Sequence, residues 1–218
     1  MRALVTGGSR GIGKAVCDCF QKNGYDVIAP TRAELDLSDR KSIEAFVSRE
    51  NDYDIIVNNA GINPLSEIEQ INQTDLDSII QVNLVAPLLL LKGLCAPMKQ
   101  KNYGKIVNVS SIWGLVSKPG RVMYSATKYG INGITNALAV ELAPYNILVN
   151  SVCPGFTNTE LTKQNVPPEE AVRLCKDIPL GRFAEPEEIA ELVYFLCSKQ
   201  NTYITGQIIA IDGGFTAR

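Results

Sequence analysis

The sequence predicts an α/β protein: a doubly wound parallel sheet of about seven strands with helices on both faces. Short apolar segments of strand length alternate with longer segments of helical periodicity, as expected for such sheets. A glycine-rich turn joins the first strand to the first helix, and no composition break divides the chain. We therefore expect a single domain over residues 1–218. The predicted strands cover residues 2–6, 25–29, 35–37, 54–57, 105–109, 147–153 and 207–211.

The composition predicts no nucleic-acid or membrane partner. Of 218 residues, 45% are apolar and 20% are charged, the net charge is −2, and no basic stripe or tail is present. Surfaces that bind nucleic acid or anionic membranes need such a stripe. The longest apolar run, residues 84–91, is too short to span a bilayer. A strand pattern begins at Arg2 with no signal peptide before it, so we expect a cytoplasmic protein.

Histidine is absent from the chain, and this limits its chemistry. Its absence excludes His-based triads and His-ligated zinc or iron sites. The six cysteines include no C-x-x-C pair, so we interpret them as reduced thiols and predict no metal site. Acid–base catalysis must then use Tyr, Lys, Asp, Glu or Cys.

Residues 6–13 form a candidate dinucleotide-binding loop. They follow a predicted strand and open a helical pattern, which is the context in which a glycine-rich turn holds a pyrophosphate. Glycines permit close approach of the backbone, and the N–H groups at the helix start attract the anion. A plain glycine turn is the alternative, but the position directly after the first strand favours cofactor binding. The predicted contacts are Gly7, Ser9, Arg10, Gly11, Ile12 and Gly13.

Tyr124 and Lys128 are the candidate catalytic pair. They lie four residues apart in a segment of helical periodicity, residues 124–142, so they share one helix face. An ammonium group one turn away favours the phenolate and lowers the pKa of the tyrosine, which makes its hydroxyl a usable proton donor or acceptor. Taken alone, the pair has a simpler interpretation as a surface tyrosine and a solvated lysine.

Six short motifs follow one another along the chain. They are Thr6-Gly7-x-x-x-Gly11-x-Gly13, Asn58-Asn59-Ala60-Gly61, Asn83, Ser111, Tyr124-x-x-x-Lys128, and Asn150-x-Val152-x-Pro154-Gly155 with Thr159. Ser111 lies 13 residues and Asn83 lies 41 residues before Tyr124. In order and spacing, the motifs resemble those of the short-chain dehydrogenase/reductase superfamily, nearest to 3-oxoacyl-[acyl-carrier-protein]-reductase-like enzymes. This resemblance covers nearly the whole chain and implies a Rossmann-type fold, a nicotinamide cofactor, and a homodimer or homotetramer.

The resemblance also implies a catalytic tetrad of Asn83, Ser111, Tyr124 and Lys128. Tyr124 would exchange a proton with the substrate oxygen, and Ser111 would hold that oxygen. Lys128 would lower the Tyr124 pKa and bind the nicotinamide ribose, while Asn83 would keep a water beside Lys128. Expected substrate contacts are Ser111, Trp113, Tyr124 and Phe156. Three alternatives stay open: a backbone-bonded helix residue for Asn83, a turn residue for Ser111, and a packing or oligomer contact for Trp113.

Two arginines favour NADP(H) over NAD(H), which is the alternative cofactor. Arg10 lies in the glycine loop and Arg32 just past the second strand, and guanidinium groups bind a 2′-phosphate in a forked geometry. Glu34, the acid that could bind the ribose of NAD, lies beyond the end of that strand. Asn59 is either a cofactor contact or a purely structural tie between strands. The remaining cofactor contacts implied by the resemblance are Asp36, Leu37, Asn59, Ala60, Gly61, Tyr124, Lys128, Pro154, Gly155, Thr157 and Thr159.

The chain departs from the superfamily pattern in two places. The connection between the second and the predicted third strand has no room for the usual crossover helix, which makes Arg32 more important for the adenosine end of the cofactor. The substrate loop, about residues 156–178, is short and predicts an open pocket. Arg121 lies near the expected substrate site. We interpret it as a solvated loop residue, with contact to an acidic substrate as the alternative.

Three functions follow from these patterns. The leading hypothesis is an NADPH-dependent carbonyl reductase that converts a ketone, with a 3-oxoacyl thioester as one candidate, to a secondary alcohol. The second is an NAD-dependent alcohol or sugar dehydrogenase. The third is a non-catalytic NADP-binding sensor. Such sensors usually lose the tyrosine or the lysine of the tetrad, and this chain keeps both.

Overall fold

The computed structural model describes residues 1–217 as a six-stranded parallel sheet with helices on both faces. The strands are β1 Arg2–Val5, β2 Asp26–Ile28, β3 Ile55–Asn58, β4 Gly104–Val109, β5 Ile147–Pro154 and β6 Ile208–Ile211. The helices are α1 Gly11–Lys22, α2 Arg40–Arg49, α3 Gln73–Ile80, α4 Ala86–Lys101, α5 Val122–Leu142, α6 Glu160–Asn165, α7 Pro168–Asp177 and α8 Pro186–Cys197. The strand order is β2-β1-β3-β4-β5-β6. The strand β2 lies on one side of β1, and β3 to β6 follow one another on the other side. The doubly wound α/β prediction is therefore confirmed.

Alternating residues along each strand separate two hydrophobic cores. In β1, Ala3 and Val5 pack against α1 and α8, whereas Leu4 packs against α2, α4 and α5. In β3, Ile55 belongs to the first core and Ile56 to the second. Successive side chains of a strand point to opposite faces, so a sheet covered on both faces needs continuous apolar runs. The strand segments of this sequence are runs of that kind.

The predicted third strand, residues 35–37, is wrong, and the sheet has six strands instead of about seven. The Leu35 N–H donates to the Thr31 carbonyl at 2.9 Å, which closes a turn. The Asp36 carboxylate accepts from the Ser38 N–H at 2.9 Å, so a side chain takes the place of a ladder partner. Leu35 is buried in the core from this turn. Its burial explains why the segment has the apolar pattern of a strand.

A π-helical turn, Gln81–Val85, joins α3 to α4 in one continuous helix. Asn72 caps the start of this helix, and its side chain accepts from the Asp75 N–H at 2.8 Å. Pro87 follows the π turn as the second residue of α4. Single π turns inside helices often occur at functional sites.

Residues 73–101 form the one helix of the described chain that is long and apolar enough to cross a bilayer. A core helix has the same length and composition, and Leu90, Leu91 and Leu94 of this helix are almost fully buried against the sheet. Packing in the second core thus accounts for its apolar character.

Candidate functional site

A cleft at the carboxyl ends of β1, β3, β4 and β5 brings most of the predicted site residues together. Open parallel sheets bind ligands at this edge, where the strand order reverses. The glycine loop after β1 lines one side, and the loops after β4 and β5 line the other. The predicted residues in its walls are Gly7, Ser9, Arg10, Gly11, Ile12, Gly13, Asn59, Ala60, Gly61, Ser111, Trp113, Tyr124, Lys128, Pro154, Gly155, Phe156, Thr157 and Thr159.

The glycine loop presents bare backbone to the cleft. Gly7 and Gly11 have φ values of 67° and 53°, in the left-handed region that favours glycine. A Cβ on Gly13 would lie 2.1 Å from the Gly7 carbonyl oxygen, so the loop closes tightly on the start of α1. The N–H groups at that helix start and the lack of obstructing side chains fit a dinucleotide pyrophosphate.

Asn59 ties the loop after β3 to the glycine loop. Its Nδ2 donates to the Thr6 carbonyl at 2.9 Å and to the Gly7 carbonyl at 3.2 Å. Asn59 therefore does form a structural tie, which was the alternative to a cofactor contact. Because the residue also lines the cleft, its contact with a cofactor stays a prediction.

The adenine-end residues lie outside the cleft walls. Arg32 is 81% exposed, and its Nε lies 3.2 Å from the Asp36 Oδ2. Leu37 packs against the second core. Arg10 does line the cleft, and its Nε lies 3.7 Å from Glu160 Oε2 of α6. Cofactor contacts of Arg32, Asp36 and Leu37 stay predictions.

Tyr124 and Lys128 lie on the first turns of α5, facing the cleft. The Lys128 Nζ donates to the Val109 carbonyl at 2.8 Å and lies 5.4 Å from the centre of the Tyr124 ring. Burial raises the pKa of Tyr124 to about 12, although the Ser111 hydroxyl and the Arg121 charge act to lower it. Burial also lowers the pKa of Lys128 to about 8. The prediction of a lowered Tyr124 pKa is thus wrong for the unliganded protein, because desolvation outweighs the nearby charges.

The two serines after β4 have different partners. The Ser110 hydroxyl donates to the Lys128 carbonyl at 3.2 Å and so fixes α5 to the sheet. The Ser111 hydroxyl accepts from the Trp113 N–H at 3.2 Å, and its bond to the phenol acts on the Tyr124 pKa. The catalytic role of Ser111 stays a prediction.

Asn83 lies in the π turn, buried beneath the loop that follows β3. Its Nδ2 donates to the Ile62 carbonyl at 2.8 Å, and its Oδ1 accepts from the Ile62 N–H at 2.9 Å. A Cβ on Gly61 would lie 3.3 Å from Asn83 Oδ1 and 3.7 Å from Lys128 Nζ. The backbone-bonded alternative therefore describes Asn83, and the predicted water beside Lys128 stays a prediction.

Comparison with known proteins places this fold and site in a family. A family sequence model described as Enoyl-(Acyl carrier protein) reductase matches residues 29–216. The 3-oxoacyl-[acyl-carrier-protein] reductase of Aquifex aeolicus is 38% identical, over 97% of this chain and 96% of the relative. The chain belongs to the short-chain dehydrogenase/reductase superfamily. It is therefore an NAD(P)-dependent oxidoreductase that acts on CH–OH and C=O groups.

Solved structures of this superfamily have the same fold. One short-chain dehydrogenase/reductase family protein has a TM-score of 0.94 at 30% identity and covers 100% of this chain and 98% of its own. A candidate NAD(P)-dependent gluconate 5-dehydrogenase from Beutenbergia cavernae, with bound NADP at low occupancy, has a TM-score of 0.92 at 29% identity. It covers 100% of this chain and 97% of its own. The Rossmann-type prediction is thereby confirmed.

Aromatic side chains form part of the cleft wall. Trp113 and Phe156 line it, with ring centres 6.0 Å apart in a T-shaped contact. Both are buried in a small third core with Val166 of the substrate loop. Trp113 is therefore a packing residue, which was the alternative interpretation, and it also lines the cleft.

The substrate loop, residues 156–178, folds as α6 and α7 beside the glycine loop. A Cβ on Gly11 would lie 3.3 Å from the Thr159 Cγ2. With the ion pair between Arg10 and Glu160, this contact joins the two sides of the cleft. An open pocket beside this short loop stays a prediction.

Two polar residues of the cleft wall were not predicted from the sequence. Arg121 is only 4% exposed and lines the cleft, so its interpretation as a solvated loop residue is wrong. Its position three residues before Tyr124, on one helix face, was the signal that could have identified it. Asn63 also lines the cleft, and its Oδ1 is buried without a partner. No sequence pattern marked Asn63.

Proposed function

We propose that this protein is an NADPH-dependent reductase that converts a ketone to a secondary alcohol through Asn83, Ser111, Tyr124 and Lys128. The observation that carries the proposal is the meeting of Ser111, Tyr124 and Lys128 in one cleft with the glycine loop. The Aquifex relative is named a 3-oxoacyl-[acyl-carrier-protein] reductase, so 3-oxoacyl thioesters are the first substrates to test.

The shifted pKa values suit the reductive direction. At neutral pH the Tyr124 phenol, with a pKa of about 12, holds its proton and can donate it to a substrate oxygen. Lys128, with a pKa of about 8, is mostly an ammonium and stabilises the phenolate that remains. The Ser111 hydroxyl stabilises the negative charge that develops on the oxygen. When bound, NADPH supplies the hydride.

Residues of three loops would hold the cofactor. The glycine loop would take the pyrophosphate, residues 59–61 would lie along the nucleotide, and Lys128 would bind the nicotinamide ribose. Arg10 in the cleft wall and Arg32 outside it support NADP(H) over NAD(H). The NADP bound by the Beutenbergia neighbour is consistent with that choice.

A substrate panel tests this function. Purified protein is mixed with NADPH or NADH and with 3-oxoacyl, quinone, steroid and sugar ketones, and the loss of absorbance at the nicotinamide band is followed. An enoyl thioester joins the panel because of the description of the family model. We expect ketone reduction with a higher kcat/KM for NADPH. Alcohol oxidation with NAD alone would favour the dehydrogenase alternative, and NADPH binding without any turnover would favour the sensor.

We also propose a homodimer or homotetramer assembled through α5. One face of α5 is exposed and carries no charged side chain. Uncharged exposed faces of this length mark protein contacts more often than solvated surfaces. The residues of this face, at helical spacing, are Val122, Ala126, Tyr129, Gly133, Ala137 and Val140.

A further inference from the structure

The Arg121 guanidinium is buried in the cleft wall without an anionic partner. The residue is 4% exposed and directly precedes α5. Among the residues that the structure describes, no carboxylate lies within ion-pair distance of it, and its side chain has no hydrogen bond. The Arg121 Cζ lies over the Trp113 ring, 5.6 Å from its centre. Buried arginines are almost always paired, because an uncompensated charge is costly to desolvate.

The acids near Arg121 already have other partners. Glu170 of α7 lies 3.3 Å from the Lys118 Nζ, and Lys118 contacts the same Trp113 ring at 5.8 Å. Glu160 is the one acid in the cleft wall as the structure describes it, and it pairs with Arg10. The positive end of the α5 dipole adds to the charge of Arg121. Within residues 1–217, Arg121 therefore has no carboxylate at ion-pair distance, and Glu170 acts on its charge only from farther away.

We propose that the substrate of this enzyme carries a carboxylate that binds Arg121, which makes it a short oxo acid. This inference rests on the proposed reductase function. Arg121 and Tyr124 are three residues apart at the start of one helix, so their side chains leave the backbone about 5–6 Å apart. A carboxylate bound by Arg121 would therefore belong to the same small substrate as the carbonyl that Tyr124 protonates.

The surroundings of Arg121 suit a carboxylate in particular. The Arg121 Cζ lies over the Trp113 ring, and a guanidinium group binds a carboxylate through a forked pair of hydrogen bonds. Phe156 and Val166 provide apolar walls for the short carbon chain. A neutral ester or thioester would leave the guanidinium buried and unpaired, and sites built for a charged group reject analogues that lack it.

Matched pairs of substrates test this inference. We would measure kcat/KM for free 2-, 3- and 4-oxo acids and for their methyl esters, at saturating NADPH. We expect the wild type to prefer its best acid over the matching ester about 100-fold. Arg121→Met should lose about 100-fold on the acid and change little on the ester. Arg121→Lys, which keeps the charge without the fork, should recover part of the loss.

Lys163→Met is the control, because it removes an exposed cation of α6 that does not line the cleft. It should leave the acid preference unchanged. Equal wild-type efficiency on acids and esters would overturn the inference without any variant, and so would reduction of neutral ketones alone. Both outcomes leave the reductase proposal standing. If the wild type binds NADPH but reduces no ketone of either panel, the proposed function fails, and the inference fails with it.

Discussion

Burial shifts the pKa values of Tyr124 and Lys128 in opposite directions, up to about 12 and down to about 8. Each shift favours the neutral form of its group, as expected when charge is removed from water. The sequence identified both residues from their spacing. The direction of the Tyr124 shift depends on the packing of Trp113 and Phe156, which are distant in sequence, so the spacing could not give it.

Lys128→Met tests the cost of burying this ammonium. The folded-state pKa of about 8 lies below the ordinary value of 10.5, so between these values the unfolded state binds more protons than the folded one. The free energy of unfolding of the wild type should therefore rise with pH relative to the variant, by about 2 kcal/mol between about pH 7.5 and 10. Urea unfolding at both pH values measures this.

Lys105 is also buried with a lowered pKa, but it is present in both proteins, so its effect cancels. Equal pH dependence of the wild type and of Lys128→Met would show that the Lys128 pKa is not lowered in the folded protein.

Arg32→Met tests the basis of the proposed cofactor preference. Arg32 has an exposed guanidinium bonded only to Asp36 and Ser38. Losing a charged hydrogen bond to the 2′-phosphate should lower the ratio of kcat/KM for NADPH over NADH about 10-fold or more. Arg40→Met, at an arginine bonded to Gln81, is the control. An unchanged ratio in Arg32→Met would remove that arginine from cofactor selection.

Among the elements, the glycine loop was predictable and the third strand was not. A glycine-rich turn between a strand and a helix adopts one backbone conformation, so its motif specifies its structure. Residues 35–37 have the apolar pattern of a strand, but Asp36 bonds its own turn and Leu35 fills the core from there. The π turn at Asn83 has no sequence signature, because it depends on packing against the loop at Ile62.

Gly13→Ala tests how tightly the glycine loop is packed. Its new Cβ would lie 2.1 Å from the Gly7 oxygen and 2.4 Å from the Asn59 Nδ2, so the loop must open. We expect a loss of stability of about 2–4 kcal/mol and weaker NADPH binding. The control is Val172→Ala on α7, at a valine that is 63% exposed.

The control should gain up to about 1 kcal/mol, because alanine is the better helix former. Chemical unfolding and NADPH fluorescence titration measure both variants. Similar behaviour of the two variants would contradict the close packing of the loop against Asn59.

At the scale of the whole molecule, the alternation of strands and helices was enough to predict the fold class. The order of the strands was not, because residue pattern does not say on which side of β1 each later strand pairs. The third core, which includes Trp113, Phe156 and Val166, joins segments far apart in the chain. For this reason the extent to which Arg121 is buried could not be predicted, although its spacing to Tyr124 could have placed it in the cleft wall.

Val140→Glu tests assembly through α5. Val140 is 79% exposed at the end of the uncharged face, and a carboxylate there would be desolvated in an interface. Light scattering should give the wild type a mass two or four times the 23.8 kDa of the chain, and the variant a smaller mass. Val172→Glu, at a 63% exposed valine on α7, should not change the mass. A monomeric wild type at micromolar concentration would contradict the proposed assembly.

The central claim is that the Tyr124 hydroxyl is the proton donor of the reaction, and Tyr124→Phe tests it most directly. Tyr129→Phe is its control, because that half-exposed hydroxyl donates to the Leu115 carbonyl away from the cleft wall. Single-turnover reduction of the best ketone, with NADPH already bound, is measured for both. We predict that Tyr124→Phe binds NADPH as the wild type does and reduces the ketone about 1,000-fold more slowly, while Tyr129→Phe keeps its rate. A Tyr124→Phe rate close to that of the wild type would contradict the account.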